Sequence, residues 1–289
     1  MTAGTPVRVV GIALHRDRPV ALELAVRAAE HLSARDIEVR IRAREAGAAG
    51  LERFVVADDA FATGLDVALS IGGDGTMLRT VDDVYPSGAA IVGVNVGQLG
   101  YLAEVEPADL EAALDAILRG DAEVGERMML EVQVTSTGPA NGRWFALNET
   151  VLEKIEPGRL IRLGVEINRA PFTTYAADGV IVATPTGSTA YSFSARGPIV
   201  APRLRCLLLT PVSPHMLFDR ALVLPADDAL RFAVEDREVS LTIDGQVIGR
   251  LEPGASVSCS GAARPLRLLT IGAPDFHQLL KAKFGLADR

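Results

Sequence analysis

Residues 70–80 read SIGGDGTMLRT, which sets one acid, Asp74, among Gly72, Gly73 and Gly75 directly after the largely apolar run 65–71. Glycines let backbone N–H groups approach a polyphosphate closely, and an acid at the same turn is placed to hold a metal or take a proton. A strand-to-helix turn with Asp74 as helix cap is the competing reading. The turn lacks the G-x-x-x-x-G-K-[ST] spacing of a P-loop and the G-x-G-x-x-G spacing of a dinucleotide fingerprint, so any polyphosphate must be held differently.

Two more polar clusters bear on chemistry. Asn148-Glu149 follows the strand-like Trp144-Phe145-Ala146-Leu147, and an amide beside an acid at a strand end suits sugar hydroxyls or a base edge; a solvated strand end is the alternative. Residues 178–192 read DGVIVATPTGSTAYS, an apolar strand emerging into a run of small hydroxyl residues and then a helix start, where free N–H groups attract anions. That run is longer than a Thr/Ser cap needs. The four histidines, His15, His31, His215 and His277, have no metal-ligand spacing, and no metal-ligand set is assigned.

The elements that must position these clusters fall into two patterns. Over the first third, short apolar runs (Val7–Ile12, 65–71, Ala90–Val94) alternate with helix-period segments such as Leu22, Ala25, Val26, Ala29 and Leu32. This is the pattern of a parallel sheet covered by helices, whose ligands sit beyond the carboxyl ends of the strands. Asp74 and the segment 95–100 lie at such ends. Pro107 opens a helix with an apolar face of Leu110, Ala113, Leu114, Ile117 and Leu118, and Gly120 supplies its stop. From Glu126 onward strand-like runs dominate (130–134, 143–147, 160–167, 179–183), and Asp244-Gly245 between alternating residues reads as a hairpin turn. The expected architecture is an α/β domain over 1–122, a β-rich domain over 123–274, and a last helix within 275–289 that returns to the first domain. Residues 43–62 carry too weak a pattern to assign.

Composition narrows the function classes. At 289 residues with 48% hydrophobic residues the chain can bury two cores. A formal net charge of −8 argues against general nucleic-acid binding. Cys206 and Cys259 form no disulfide framework, which points to a reducing, cytoplasmic setting. No run approaches the roughly 20 apolar residues that span a bilayer, so no membrane partner is expected.

Taken together, GGDGT at 72–76, Asn148-Glu149 and DGVIVATPTGSTAYSFSARGPIV at 178–200 resemble the signature segments of the bacterial NAD kinases, the family using ATP or polyphosphate. GVNVGQLGYLAEV at 93–105, LTPVSPHM at 209–216 and DGQ at 244–246 support the resemblance, which spans about 65–275. The glycine turn alone is shared with lipid kinases and 6-phosphofructokinases. The resemblance implies a phosphofructokinase-like α/β domain, a β-rich dinucleotide-binding domain, an active site between them, and a homodimer or homotetramer. It implies that Asp74 accepts the proton of the adenosine ribose 2′-hydroxyl of NAD. It further implies NAD contacts from Gly75, Asn148, Glu149, Asp178, Thr189, Ala190, Tyr191, Ser192, Phe193, Ser194 and Gln246. Gly72, Gly73, Gly75, Thr76 and Arg79 would receive the donor phosphates, with Mg²⁺ or another divalent cation neutralising charge.

Two positions depart from the family pattern: Ala176 stands where many members carry a basic residue, and Arg196 where a small residue is common. Arg159 or Arg162 is a candidate substitute cation, against an exposed strand arginine. The rival functions are a lipid or sugar kinase sharing the turn, and a module that senses NAD or NADP without transferring phosphate.

Overall fold

The computed structural model describes residues 6–45, 50–97, 100–102, 105–272 and 276–286. Gln98, Leu99, residues 103–104 and Asp275, all within segments singled out above, lie outside the described residues, as do 46–49 of the unassigned stretch.

The chain divides into two compact units, Met1–Glu126 with Leu266–Arg289, and Arg127–Pro265. The first begins with β1 (Val9–Leu14), α1 (Pro19–Ser33), β2 (Glu38–Arg42), β3 (Val55–Val56), β4 (Val67–Gly72), α2 (Asp74–Val84), β5 (Ala90–Asn95), α3 (Leu110–Arg119) and β6 (Glu123–Arg127). The second holds β7 (Leu130–Thr135), β8 (Gly142–Ala146), β9 (Glu149–Lys154), β10 (Ile161–Ile167), β11 (Ala170–Ala177), β12 (Gly179–Ala183) and a one-turn α4 (Tyr191–Ser194). It continues through β13 (Cys206–Val212), β14 (Leu222–Pro225), β15 (Leu230–Val234), β16 (Val239–Ile243), β17 (Gln246–Leu251) and β18 (Ser256–Gly261). The chain then returns to the first unit as β19 (Leu266–Thr270) and α5 (Phe276–Phe284).

The first unit is built on a seven-stranded sheet of order β3-β2-β1-β4-β5-β19-β6. Strands β1 to β5 pair in parallel, and β4 and β5 are buried along their whole length, as strands covered on both faces must be. Helix α1 lays Ala21, Leu24, Ala25, Ala28, Ala29 and Leu32 into this core. Gly120, with φ of 80°, closes α3 as expected. The sequence-based division at 122/123 and 274/275 differs from these units in two strands: β6, and β19, whose Leu269 joins the first core. Both read locally as ordinary strands, and only their long-range pairing assigns them.

The second unit carries two six-stranded sheets, β11-β10-β15-β18-β7-β8 and β14-β13-β12-β9-β16-β17, antiparallel in their recorded pairings. Alternation along β7 and β10 turns Leu130, Val132, Val134, Leu163 and Val165 into a shared core with Tyr175 and Phe232. Among the described residues, no helix is long and apolar enough to cross a membrane.

Candidate functional site

In the first unit, Gly73 occupies the N-cap position of α2 without a side-chain cap, and Asp74 is the first helical residue. The cap reading of Asp74 therefore fails. Its carboxylate instead accepts backbone N–H bonds from Tyr101 at 3.0 and 3.2 Å and from Leu102 at 3.1 Å. This ties the chain beyond β5 to the head of α2. Gly100 makes that approach possible, since a Cβ there would collide with the Asp74 carboxylate.

The surroundings of Asp74 leave room for a ligand. A Cβ added at Gly73 or Gly75 would meet nothing within 4 Å among the described residues, and the first turn of a helix leaves its N–H groups without intrahelical acceptors. Arg79 is exposed and donates to Thr76 Oγ1 at 3.2 Å, so these two of the donor-site candidates on α2 form one group. On the adjacent strand Asn95 stands opposite Gly72, buried, with no partner for its Oδ1 among the described residues. Burial, and next to it the Asp74 charge, holds the Tyr101 phenol above its ordinary range.

Arg18, at the loop after β1, was not among the sequence candidates. Its guanidinium donates to the Val96 carbonyl, while the Val96 N–H donates to the Gly72 carbonyl at 3.0 Å. A cation thus lies one peptide away from the glycine turn. Only the β1-β4-β5 strand order brings residue 18 there, although a ligand-side strand end carrying Arg16 and Arg18 was a usable signal.

In the second unit, Asn148 and Glu149 open β9. The Asp244 carboxylate accepts the backbone N–H groups of Leu147, Asn148 and Glu149 at 2.7, 2.8 and 3.0 Å. The Asp-Gly hairpin turn joins β16 to β17 as expected, with φ of 46° and 78° at Asp244 and Gly245, and it also clamps the Asn148-Glu149 corner. Glu149 is 6% exposed, with one carboxylate oxygen unpartnered among the described residues. Burial, reinforced by the Asp244 charge and opposed by the Tyr191 N–H, pushes its carboxyl up to about 8. In its protonated form it is a hydrogen-bond donor as well as an acceptor.

Segment 184–194 is wound against this corner. Thr184 donates its backbone N–H to Asn148 O at 2.8 Å and its hydroxyl to Leu147 O at 2.5 Å. Gly187 packs flat on the Asn148 carbonyl, where a Cβ would overlap it. The expected helix after β12 is instead a 3₁₀ turn, Thr186–Thr189, followed by the single turn α4. Arg196, at φ of 67°, ends α4, in a left-handed conformation where a residue without Cβ is at ease. That accounts for the small residue expected at this position.

Residues 188–194 divide into two sets. Ser188 and Ser192 are buried and bonded to Val200 and to Thr210 Oγ1, respectively, so they hold the segment in place. Thr189 and Ala190 are half-buried, and Tyr191, Phe193 and Ser194 are exposed. Gln246 is exposed at the start of β17. Asp178 lies just before β12, its Oδ1 2.6 Å from Lys154 Nζ. Arg162 sits across from Ala176 in the β10-β11 register and pairs with Glu235 at 3.4 Å. Among the described residues, no group of three or more His, Cys, Asp or Glu side chains is gathered to hold a metal ion.

Comparison with known proteins places these features in a family. The ATP-NAD kinase N-terminal domain model matches residues 10–122 and the ATP-NAD kinase C-terminal domain model residues 147–270. An NAD kinase of Heliobacterium modesticaldum is 42% identical over 276 residues, covering 95% of this chain and 97% of that protein. An NAD kinase of Moorella thermoacetica is 40% identical, covering 95% of this chain and 88% of its own length. Among solved structures, yeast NADH kinase complexed with NADH shares the fold at a TM-score of 0.90 and 23% identity, covering 99% of this chain and 90% of that one. An NAD kinase from Archaeoglobus fulgidus in complex with ATP follows at a TM-score of 0.71 and 24% identity, covering 96% of this chain and 97% of that one. On the two domain models and the identity held over nearly its whole length, the chain belongs to the NAD kinase family.

Proposed function

We propose that this protein transfers the terminal phosphoryl group of a Mg²⁺-bound donor, ATP or another polyphosphate, to the adenosine ribose 2′-hydroxyl of NAD, giving NADP. The observation that carries this reading is the Asp74 carboxylate, spared from capping α2 and held by the Tyr101 and Leu102 N–H groups beside open glycine faces. As the ribose oxygen bonds to phosphorus, the bond from phosphorus to the donor's bridging oxygen breaks and Asp74 takes the hydroxyl proton.

The glycine turn, Thr76 and Arg79 receive the donor phosphates in this reading, with Arg18 as a further cation. The divalent ion arrives as part of the donor, since Mg²⁺ is commonly bound through substrate phosphates with few protein carboxylates. The Asn148-Glu149 corner, Asp178 and the open part of 189–194 recognise the dinucleotide: buried Glu149 offers a donor proton, and Asp178 an acceptor oxygen. The two free cysteines support a cytoplasmic setting. Val223 and Val247, 55% and 73% exposed on the edge strands β14 and β17, support assembly into a homo-oligomer.

The test is to incubate the purified protein with each acceptor (NAD, NADH, a sugar, a diacylglycerol) against ATP and polyphosphate, measuring phosphorylated product. NADP formation from NAD is expected. Phosphorylation of the sugar or lipid in its place, or dinucleotide binding with no transfer to any acceptor, refutes the reading.

A further inference from the structure

At the end of β9 away from Glu149, Lys154 lines a cavity of about 260 Å³ within the second unit. Arg159 from the β9-β10 loop, Arg237 from the β15-β16 connection and Arg250 of β17 share it, with Glu156 and Glu238 as the acids. Sheet register brings them together, because Lys154 pairs with Val239 and Arg250 with Ser240. The pairings that hold the arginines are loose. Arg250 and Glu238 stand 3.9 Å apart, Arg237 and Asp236 3.8 Å, and Arg159 makes no ion pair among the described residues. The lining itself carries four cations against two acids, with Asp236 and Asp178 beside it as the partners of Arg237 and Lys154, so an anion entering the cavity meets cations that it can draw from their present partners. Its volume lies just below the usual range for drug-sized ligands, which suits a compact one.

The cavity also reaches a residue of the proposed dinucleotide site. Lys154 contacts Asp178 at 2.6 Å, and the Lys154 N–H donates to the Asp178 carbonyl at 2.8 Å, so the two backbones are fixed and only the ammonium can swing. We propose that this cavity binds a small multivalent oxyanion of the phosphate class, and that binding draws Lys154 away from Asp178, freeing that carboxylate to accept a hydrogen bond from the dinucleotide. The cavity is then a positive effector site; its link to NAD rests on the reading of Asp178 given above.

Calorimetric titration of the full-length protein, without divalent cation, tests this with inorganic pyrophosphate as the probe. Pyrophosphate is expected to bind and to tighten NAD binding about fivefold, the most that a partly exposed ion pair supplies. The double variant Arg237→Glu/Arg250→Glu is expected to lose one pyrophosphate equivalent and the whole of the tightening, while any binding at the glycine turn persists. The milder Arg237→Gln/Arg250→Gln pair serves if the first does not fold, as judged by thermal melting. Unchanged stoichiometry in the variant overturns the anion site, and an NAD affinity in the wild type indifferent to pyrophosphate overturns the coupling. A wild type that binds pyrophosphate but no NAD instead refutes the NAD reading and leaves the anion site standing.

Discussion

Asp244→Asn probes the contact network least visible in the sequence. The carboxylate holds three backbone N–H groups at 2.7–3.0 Å, with Oδ2 on Leu147 and Oδ1 on Asn148 and Glu149. Asparagine tolerates the φ of 46°, so the hairpin turn survives. Its single carbonyl oxygen keeps Asn148 and Glu149 as weaker, neutral bonds, while its NH₂ faces the Leu147 N–H, which loses its acceptor. A lost bond to a charged acceptor costs about 1.5–3 kcal/mol and each weakened one a few tenths, for a total of about 2–3 kcal/mol. The amides of 147–149 should therefore exchange with solvent deuterium about 30–150-fold faster than in the wild type, with the rest of the unit little changed. Hydrogen-exchange mass spectrometry on the peptide covering 147–149 measures this. Protection within about threefold of the wild type would refute the clamp.

Other outcomes follow from the same geometry. Glu149→Gln tests the raised carboxyl: a folded pKa of about 8 against an ordinary 4.5 favours the protonated fold below pH 4.5 and withdraws that support as pH rises through 8. Relative to the wild type, the Gln variant should gain stability from pH 5 to pH 9, by a margin on the order of 4 kcal/mol; parallel pH curves in urea melts would contradict the buried acid. Arg196→Gly relieves a left-handed position and should stabilise by about 0.5–1 kcal/mol once the added freedom of the unfolded chain is subtracted. Loss of stability would mean that the arginine side chain contributes more than its backbone strain costs. Arg18→Gln removes the charge and shortens the side chain while keeping a neutral N–H donor, so the donor KM should rise about tenfold while the NAD KM holds. Equal rises in both would mark Arg18 as a scaffold.

Where chemistry and local pattern coincide, the sequence was easy to read. Strand β12 ends where its apolar run ends, at Gly179 and Ala183, and β4, β5 and α3 follow their apolar periods within a few residues. The 178–192 segment is legible because its run of small hydroxyl residues is longer than a cap needs, whereas the Asp74 turn reads equally as a cap and Asn148-Glu149 as a solvated strand end until the three are taken together. The hidden features depend on residues far apart in the chain. The Asp244 clamp spans 95 to 97 positions and the Arg18 bridge 78. A return strand such as β19 has no local feature to separate it from its β-rich neighbours. The single turn α4 was overread as a helix because the periodic signal carries no information about Arg196 turning left-handed or Gly187 lying against Asn148.

Asp74→Asn in a steady-state assay of NADP formation tests the central claim most directly. Asparagine keeps an acceptor for the Tyr101 and Leu102 N–H groups while losing the base, so the fold and much of the NAD affinity should remain. Turnover at saturating NAD and donor should fall by about 10²–10⁴-fold. A variant that still makes NADP within a few-fold of the wild-type rate would remove Asp74 from the proton transfer, and with it the account of the glycine turn as the chemical centre.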